Sequence, residues 1–497
     1  MKIVLSTPPG RTTERWPPLG LLYIASMMRV QRPDDEVRVV DAFCENLRAE
    51  DLVHRIERER PDIFGMNCST HTFLSAIRAL ENAHRVLPET TIVMGGFHAT
   101  FTAEQILHDY PFVDYIIKGE AEHAFPMLVE CIEGGRTPAD VDGISFMKDG
   151  GYVSRPPAIE KDLDALPFPA RDLVEGLTYG YSHRGVRLAF GKFTTVCSSR
   201  GCPFRCTYCS CAAFSHRRWR PRSAANVVEE LDLLYDQGYE TAVFVDDNFT
   251  LKKSRVEEIC EQIRERKIRM RFYCEGRVDN APYPLLRTMK KAGFDVIYFG
   301  VESASKHVLD YYKKGITSAQ SRTAIADAKR ARMLVVTSYI FGAPVETQAD
   351  ILRTIDFIRT SRPHAIQVNI LDCLIGTPIW DDMVRAGVVA PEDWKRNHRI
   401  YEYHEDGLSR ELLDDLTSRA HAAHADGWKN RDGLRDFLRL LWSNQTGRRV
   451  ILGNLLRFST MRRMSKGAQS EFVEPASQSE STPLSLALAD GPRGGTS

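Results

Sequence analysis

The chain has 497 residues, too many for one hydrophobic core, and domain-size scaling points to roughly two to four units. Lys+Arg and Asp+Glu both total 66, so the formal net charge is zero and no global field draws the chain to nucleic acid or to an acidic partner. Eleven cysteines, an odd number, are scattered apart from one knot between Cys197 and Cys211, a usage that fits reduced thiols and a metal site rather than a disulfide framework.

Met1 leads directly into the strand-like Ile3-Val4-Leu5, without a basic and then apolar leader, so the expected location is the cytoplasm. The apolar stretch Leu19 to Met28 is shorter than the roughly 20 residues a membrane-spanning helix requires. Over 1–140, β-rich runs at Ile3–Leu5, Val37–Asp41, Asp62–Met66, Thr91–Gly95 and Tyr115–Lys118 alternate with helical patterns, which predicts a doubly wound parallel sheet. Ligands in such sheets bind beyond the carboxyl ends of the strands. Here those ends are Ser6-Thr7-Pro8-Pro9, Asn67-Cys68-Ser69-Thr70, Gly95-Gly96-Phe97-His98 and Gly119-Glu120.

Residues 141–187, with Gly150-Gly151 and Pro156-Pro157, read as a hairpin and linker. A second βα series over 188–390 has strands at Phe193–Val196, Thr241–Asp246, Met270–Cys274, Asp295–Gly300, Leu334–Phe341 and Ile366–Leu371, which together predict a partial (β/α)6 barrel. One of its helices is expected to open with a capping box at Ser254 and Glu257. Residues 391–466 turn helical and basic. Leu434, Phe437, Leu438 and Leu441 fall at helical spacing, as do Ile451, Leu455 and Phe458, and Lys429, Arg435, Arg439, Arg448 and Arg457 stand among them. Such a surface either packs on its own barrel or lies on anionic lipid. The polar tail 467–497 is expected to be disordered. The fold class is therefore α/β: a Rossmann-like N-terminal domain, a partial barrel and a helical extension.

The run from Cys197 through Cys202, Cys206 and Cys209 to Cys211 follows the first barrel strand, where barrels place catalytic groups. Two readings of the C-x3-C-x2-C spacing are open. One is a closed zinc site with Cys197 or Cys211 as fourth ligand. The other is an iron–sulfur cubane on Cys202, Cys206 and Cys209, whose fourth iron lacks a protein ligand and can bind a small molecule.

The motif, with Tyr208 as its aromatic, resembles that of the radical S-adenosylmethionine (SAM) superfamily. Further matches run down the barrel: Asp246-Asp247-Asn248-Phe249, Glu275-Gly276-Arg277-Val278-Asp279, Gly300-Val301-Glu302-Ser303, Gly342 to Thr347 and Gly376-Thr377-Pro378. Val345 departs from the family's usual glycine. The resemblance implies a [4Fe-4S] cluster on Cys202, Cys206 and Cys209. It also implies a SAM site with Tyr208, Asp246, Arg277, Glu302 and Ser303, Arg277 facing the carboxylate. Pro17 to Ser26, Gly95 to Thr100 and Ile117 to Glu122 are similar to the cobalamin-binding domain of B12-dependent members. That resemblance implies cobalamin near Pro8, Ser69, Thr70, Gly95, Gly96, His98, Thr100, Gly119 and Glu120. The DxHxxG motif that would supply an axial histidine is absent, and His98 reads either as a loop histidine or as a neighbour of the corrin.

The expected activity is generation of a 5′-deoxyadenosyl radical that functionalises an unactivated carbon, by methyl transfer or carbon–carbon bond formation. The family also contains radical cyclases of the anaerobic magnesium-protoporphyrin ester type. A rival from another class is a cobalamin-binding sensor with a structural cluster. Cys373 and Tyr339, on late strands, are candidates near the radical, and packing as a small hydrophobe is the alternative for Cys373. Expected partners are a small-molecule or lipid substrate and a reductant such as flavodoxin or ferredoxin, with no nucleic acid, and the C-terminal region offers a peripheral membrane contact.

Overall fold

The structure, a computed structural model, describes residues 1–10, 15–180, 191–396 and 408–429, with isolated positions among 182–187 and 433–448. The tail 467–497 and the apolar positions Leu434, Phe437, Leu438, Leu441, Ile451, Leu455 and Phe458 lie outside the described residues, as do Arg439 and Arg457.

Strands β1 (Lys2–Ser6), β2 (Glu36–Val40), β3 (Ile63–Asn67), β4 (Thr91–Gly95) and β5 (Tyr115–Ile117) pair in parallel in the order β2-β1-β3-β4-β5. Both faces are covered, which is why β1 reads as an unbroken apolar run. Val4 packs on one side with Phe64 and Ile92, whereas Ile3 and Leu5 pack on the other with Ile63 and Val93. The hairpin β6 (Ile144–Lys148) and β7 (Gly151–Ser154) pairs antiparallel to β5 through Ile117↔Ile144. It extends the first sheet and caps its edge, so the expected division after residue 140 falls inside that sheet.

After a short ribbon, β8 (Ser182–His183) with β9 (Val186–Arg187), the chain enters β10 (Phe193–Val196). A second ribbon, β11 (Ser199–Arg200) with β12 (Arg220–Pro221), brackets the cysteine run. Then follow β13 (Thr241–Phe244), β14 (Arg271–Gly276), β15 (Phe294–Glu302), β16 (Leu334–Phe341) and β17 (Ala365–Ile370). The six main strands form an open parallel sheet in the order β10-β13-β14-β15-β16-β17. Its inner face carries Phe193, Val243, Tyr273, Val296 and Val336, while Phe244, Phe272, Ile297 and Phe341 pack against the outer helices.

Helix starts are less faithful to expectation. The helix Lys253–Glu265 opens at Lys252 with no side-chain cap, placing Ser254 inside its first turn, so the expected Ser254/Glu257 box is not formed. The capping boxes on the barrel are Thr317 with Gln320 and Thr347 with Asp350. At the bottom of the barrel, Asn444 donates to the carbonyl oxygens of Asp295 (3.2 Å) and Arg332 (3.1 Å), and the Thr446 hydroxyl donates to Asp295 (2.6 Å). These buried contacts seat that part of the C-terminal region on its own barrel. Among the described residues no helix is long and apolar enough to cross a membrane.

A candidate cofactor site between the two sheets

The carboxyl ends of β1, β3, β4 and β5 face those of β10 and β13 across a cavity of about 400 Å³. Gly65, Asn67, Met94, Gly95 and Gly96 line one wall; Cys197, Gly201, Cys211, Val245 and Asp247 line the other. Between them the lining is largely apolar, and Phe97 of the first domain stacks on Phe214 of the second with ring centroids 4.2 Å apart. This is where both architectures concentrate ligand binding. The Asn67 Oδ1 atom is buried without a hydrogen-bond partner and belongs to this lining, an orphaned acceptor of the sort a ligand amide satisfies.

The cysteine loop is held from several sides. Asp246 at the end of β13 accepts the Ser198 backbone N–H (2.8 Å) and the hydroxyls of Ser198 and Ser199, which uses both of its oxygens. Arg222 donates to the Cys197 carbonyl (2.9 Å), and the Thr207 backbone N–H donates to the Tyr312 carbonyl (3.0 Å). Gly201 adopts φ +84°, and a Cβ there would lie 2.2 Å from the Arg218 carbonyl oxygen. Gly201→Ala should therefore prevent the loop from closing, read as loss of bound iron after anaerobic reconstitution; full iron incorporation would contradict this account.

All of Cys197, Cys202, Cys206, Cys209 and Cys211 are free thiols. Burial pushes Cys202 up to about 11, whereas the Cys211 thiol, donating to the Cys209 sulfur, holds Cys209 down at about 7. Among the described residues no three Cys, His, Asp or Glu side chains gather as a single metal ion would need. Three cysteines on one loop suit a four-iron cluster whose fourth iron is left open to a small molecule.

Behind the loop, the aromatic residues between the cysteines rest on cations. The Arg277 guanidinium lies 3.7 Å from the centre of the Phe204 ring, is paired to Asp279 (3.0 Å) and donates to the Lys314 carbonyl (2.7 Å). Lys314 donates to Glu302 (2.7 Å) and to the Tyr208 hydroxyl (3.0 Å), which itself donates to Glu302 (3.0 Å). Gly300 makes room for the pair, since a Cβ there would come within 2.4 Å of Glu302 and 2.8 Å of Lys314. Glu275 faces into the barrel. Its side chain is exposed at the open end of the strand, where partial desolvation by the surrounding protein, with the charges of Asp247 and Glu302, shifts its carboxyl upward.

Of the residues expected near cobalamin, Gly95, Gly96, Gly119 and Glu120 line the cavity, whereas Pro8, Ser69, Thr70, His98 and Thr100 do not. His98 is a correction to the loop reading. The helix Phe97–Asp109 begins one residue earlier and turns His98 into the core, against Phe73 (4.6 Å) and Trp394 (4.8 Å), where burial lowers it to about 4. Its Nδ1 meets the Thr70 hydroxyl (3.2 Å). Gly96 owes its identity to φ +94° and to the Cys68 carbonyl 2.5 Å from a notional Cβ.

Of the residues expected at SAM, Tyr208, Arg277 and Glu302 converge behind the cysteine loop. Asp246 positions the loop, and Ser303 faces away, sharing its hydroxyl with Thr354 (3.2 Å) and the Ser305 N–H. Tyr339 points outward among Ile351, Phe357 and Leu413, because β16 alternates and its inward positions are Val336, Ser338 and Ile340. Cys373 lies beyond β17 and donates to the Met383 sulfur (3.5 Å), packed as a small hydrophobe. Neither side chain lines the cavity.

Sequence reasoning also missed a clasp between the domains. Arg220 binds Glu120 through both oxygens, one at 2.8 Å, and Arg200 binds Glu122 (2.6 Å) and reaches Glu120 (3.5 Å). All four side chains are largely buried.

A sheet-and-barrel pair meeting at such a cavity, with this cysteine loop on its rim, is the arrangement of a radical SAM enzyme carrying a corrin-binding domain. The profile of the Radical SAM superfamily matches residues 196–358 and that of the B12 binding domain matches residues 10–129. An uncharacterized methyltransferase of Pyrococcus horikoshii is 32% identical over 404 residues, covering 80% of this chain and 86% of its own. The anaerobic magnesium-protoporphyrin IX monomethyl ester cyclase of Rubrivivax gelatinosus is 31% identical over 70% of this chain and 63% of its own, so the chain spans less than two thirds of that relative. The radical SAM methyltransferase TsrM of Kitasatospora setae, solved with cobalamin and a [4Fe-4S] cluster, superposes with a TM-score of 0.65 at 19% identity over 78% of this chain and 76% of its own. The chain belongs to the cobalamin-dependent radical SAM family, whose members include methyltransferases and cyclases, and its cofactors are a [4Fe-4S] cluster, SAM and cobalamin.

Proposed function

We propose that this enzyme transfers a methyl group to an unactivated carbon of a small molecule, with Cys202, Cys206 and Cys209 holding the cluster. The observation that carries the reading is the shared cavity, with the strand ends of the B12-binding domain on one wall and the flanks of the cysteine loop on the other. When bound, the cluster with SAM supplies a 5′-deoxyadenosyl radical and cobalamin supplies a methyl group.

The chain's own contribution is placement and exclusion of water. Gly65, Gly95 and Gly96 bring the backbone to the cavity wall and leave space for a macrocycle, and Asn67 offers it an acceptor. Leu5, Tyr23, Phe97, Phe125 and Phe214 keep the space apolar, which shields a radical from solvent. The buried Glu302–Lys314–Tyr208 cluster and Arg277 fix the loop from behind. The electron comes from a flavodoxin- or ferredoxin-type reductant. The substrate is a small molecule, and a lipid is the class to try first, since the lining is mostly hydrocarbon.

Anaerobic reconstitution with iron, sulfide and hydroxocobalamin, followed by mass spectrometry of SAM products with and without a lipid extract, tests the reading. Deoxyadenosine together with S-adenosylhomocysteine is the expected pair. Deoxyadenosine without S-adenosylhomocysteine would replace methyl transfer by cyclisation, the activity named for the Rubrivivax relative. Neither product, with cluster and cobalamin both bound and lipid present, would favour a sensor.

A further inference from the structure

We propose that the outer face of the cysteine loop, built on Arg205, Arg217, Arg218 and Lys313, is the docking surface for an acidic one-electron carrier protein. The inference rests on the assignment of the cluster to that loop.

The segment from Arg200 to Arg222 contains six arginines and no Asp or Glu, in a chain whose formal charge is zero. Three of the six are largely buried and matched by carboxylates: Arg200 by Glu122, Arg220 by Glu120 and Arg222 by Glu230. The other three, Arg205, Arg217 and Arg218, are exposed, and their side chains have no partner among the described residues. Lys313 is exposed and unpaired as well. These cations belong to one neighbourhood. Arg205 stands between Cys202 and Cys206, and Gly201 packs against the Arg218 carbonyl. Lys313 follows Tyr312, whose carbonyl accepts the Thr207 N–H (3.0 Å). The acids beside Lys313 are already spent, Asp310 on Lys306 and Glu302 on Lys314.

None of the four cations lines the cavity between the sheets, and Pro203, next to Cys202, is exposed, so the loop meets solvent on a side of its own. Electron transfer slows steeply with distance, and a protein donor must therefore seat where the cysteines come nearest the surface. Fixed positive charge around that point steers an acidic partner onto it and raises the rate of productive encounter. On docking, the carrier loses one electron and the cluster gains it, with no bond made or broken. The face does not suit a membrane. A surface that lies on lipid combines its cations with exposed large apolar side chains, and none of the exposed large hydrophobic residues falls within 200–222 or 306–318.

The test uses the full chain reconstituted with iron and sulfide, with purified flavodoxin and purified ferredoxin as probes. Calorimetry reads the binding of each oxidised carrier, and loss of cluster absorbance reads the rate of reduction by each reduced carrier. Reduced methyl viologen serves as a small donor that needs no docking face. The double variant Arg217→Glu/Arg218→Glu and the single variant Lys313→Glu should each weaken carrier binding and slow carrier-driven reduction about tenfold at low ionic strength. Iron content and the rate with methyl viologen should match the wild type. The difference should close in about 1 M salt, where the screening length falls to about 3 Å. Lys267→Glu, exposed at the opposite end of the barrel before β14, should behave as wild type. Unchanged carrier binding and reduction in both variants, equal losses with methyl viologen, or failure of both carriers to bind the iron-replete wild type would overturn the proposal. So would variants that lose binding to phosphatidylglycerol vesicles while carrier-driven reduction is unchanged, which would assign the face to lipid. If one variant does not fold, the other decides alone. Wild-type protein that takes up no iron would instead overturn the cluster assignment.

Discussion

Cys206→Ala should bring SAM cleavage down to the background of protein reconstituted without iron, measured as deoxyadenosine by mass spectrometry, with bound iron falling in parallel. Of the three cysteines proposed as ligands, Cys206 is the most enclosed, and its loop neighbour Thr207 is tied to the segment carrying Lys314. Two thiolates would have to hold a cluster that normally takes four ligands. Cys197→Ala and Cys211→Ala should retain iron, which separates the three-cysteine cluster from any site that recruits a flanking cysteine. Unchanged deoxyadenosine formation in Cys206→Ala would end the cluster assignment.

The second large effect falls on stability. Glu230 is fully enclosed between Arg171 (2.6 Å) and Arg222, which it also contacts directly. Arg171 comes from the linker and also donates to Thr194 (3.0 Å) and to the Thr195 carbonyl (2.7 Å), so one carboxylate ties the linker, β10 and the helix Ala224–Asp236 together. Glu230→Ala leaves two buried guanidinium groups without their shared counter-charge, at a cost of about 3–5 kcal/mol. Denaturant unfolding of the reconstituted chain should show it as a lower midpoint. Burial by itself would raise the Glu230 pKa, but the two arginines more than offset this and hold it below the ordinary glutamate value. A depressed carboxylate contributes stability above its unfolded pKa and loses it as pH falls through the folded one. The difference between wild type and Glu230→Ala should therefore shrink on acidification through and below the ordinary glutamate range; a gap constant across that range would refute the linkage.

The strands were legible because parallel sheets bury both faces. Runs such as Ile3–Leu5 and Leu334–Phe341 carry few polar interruptions, and the observed strands lie within a few residues of those expected. The strand-end motifs were legible for the same reason, since loops at carboxyl ends must carry the chemistry. Which face a residue takes was harder to read. Tyr339 and Ser338 differ by one step along β16, and a period of two does not say which of them looks inward until one contact anchors the register. His98 failed through a shift of a single residue: the helix starts at Phe97, so Phe97 reaches the cavity and His98 the core. Lys314 and the Arg200–Glu122 pair left no local mark, because partners 106 and 78 positions apart produce no spacing pattern.

The clasp bears on the order of assembly. Arg200 stands on β11, two positions before Cys202, and Arg220 stands on β12, the strand paired with it. The ribbon that frames the cysteine loop is thus the one that grips Glu120 and Glu122 of the other domain. A chain whose cysteine loop is misshapen would therefore lose these ion pairs between the domains, leaving the apolar contacts of Trp394 with Phe73 and His98 to hold the two sheets together.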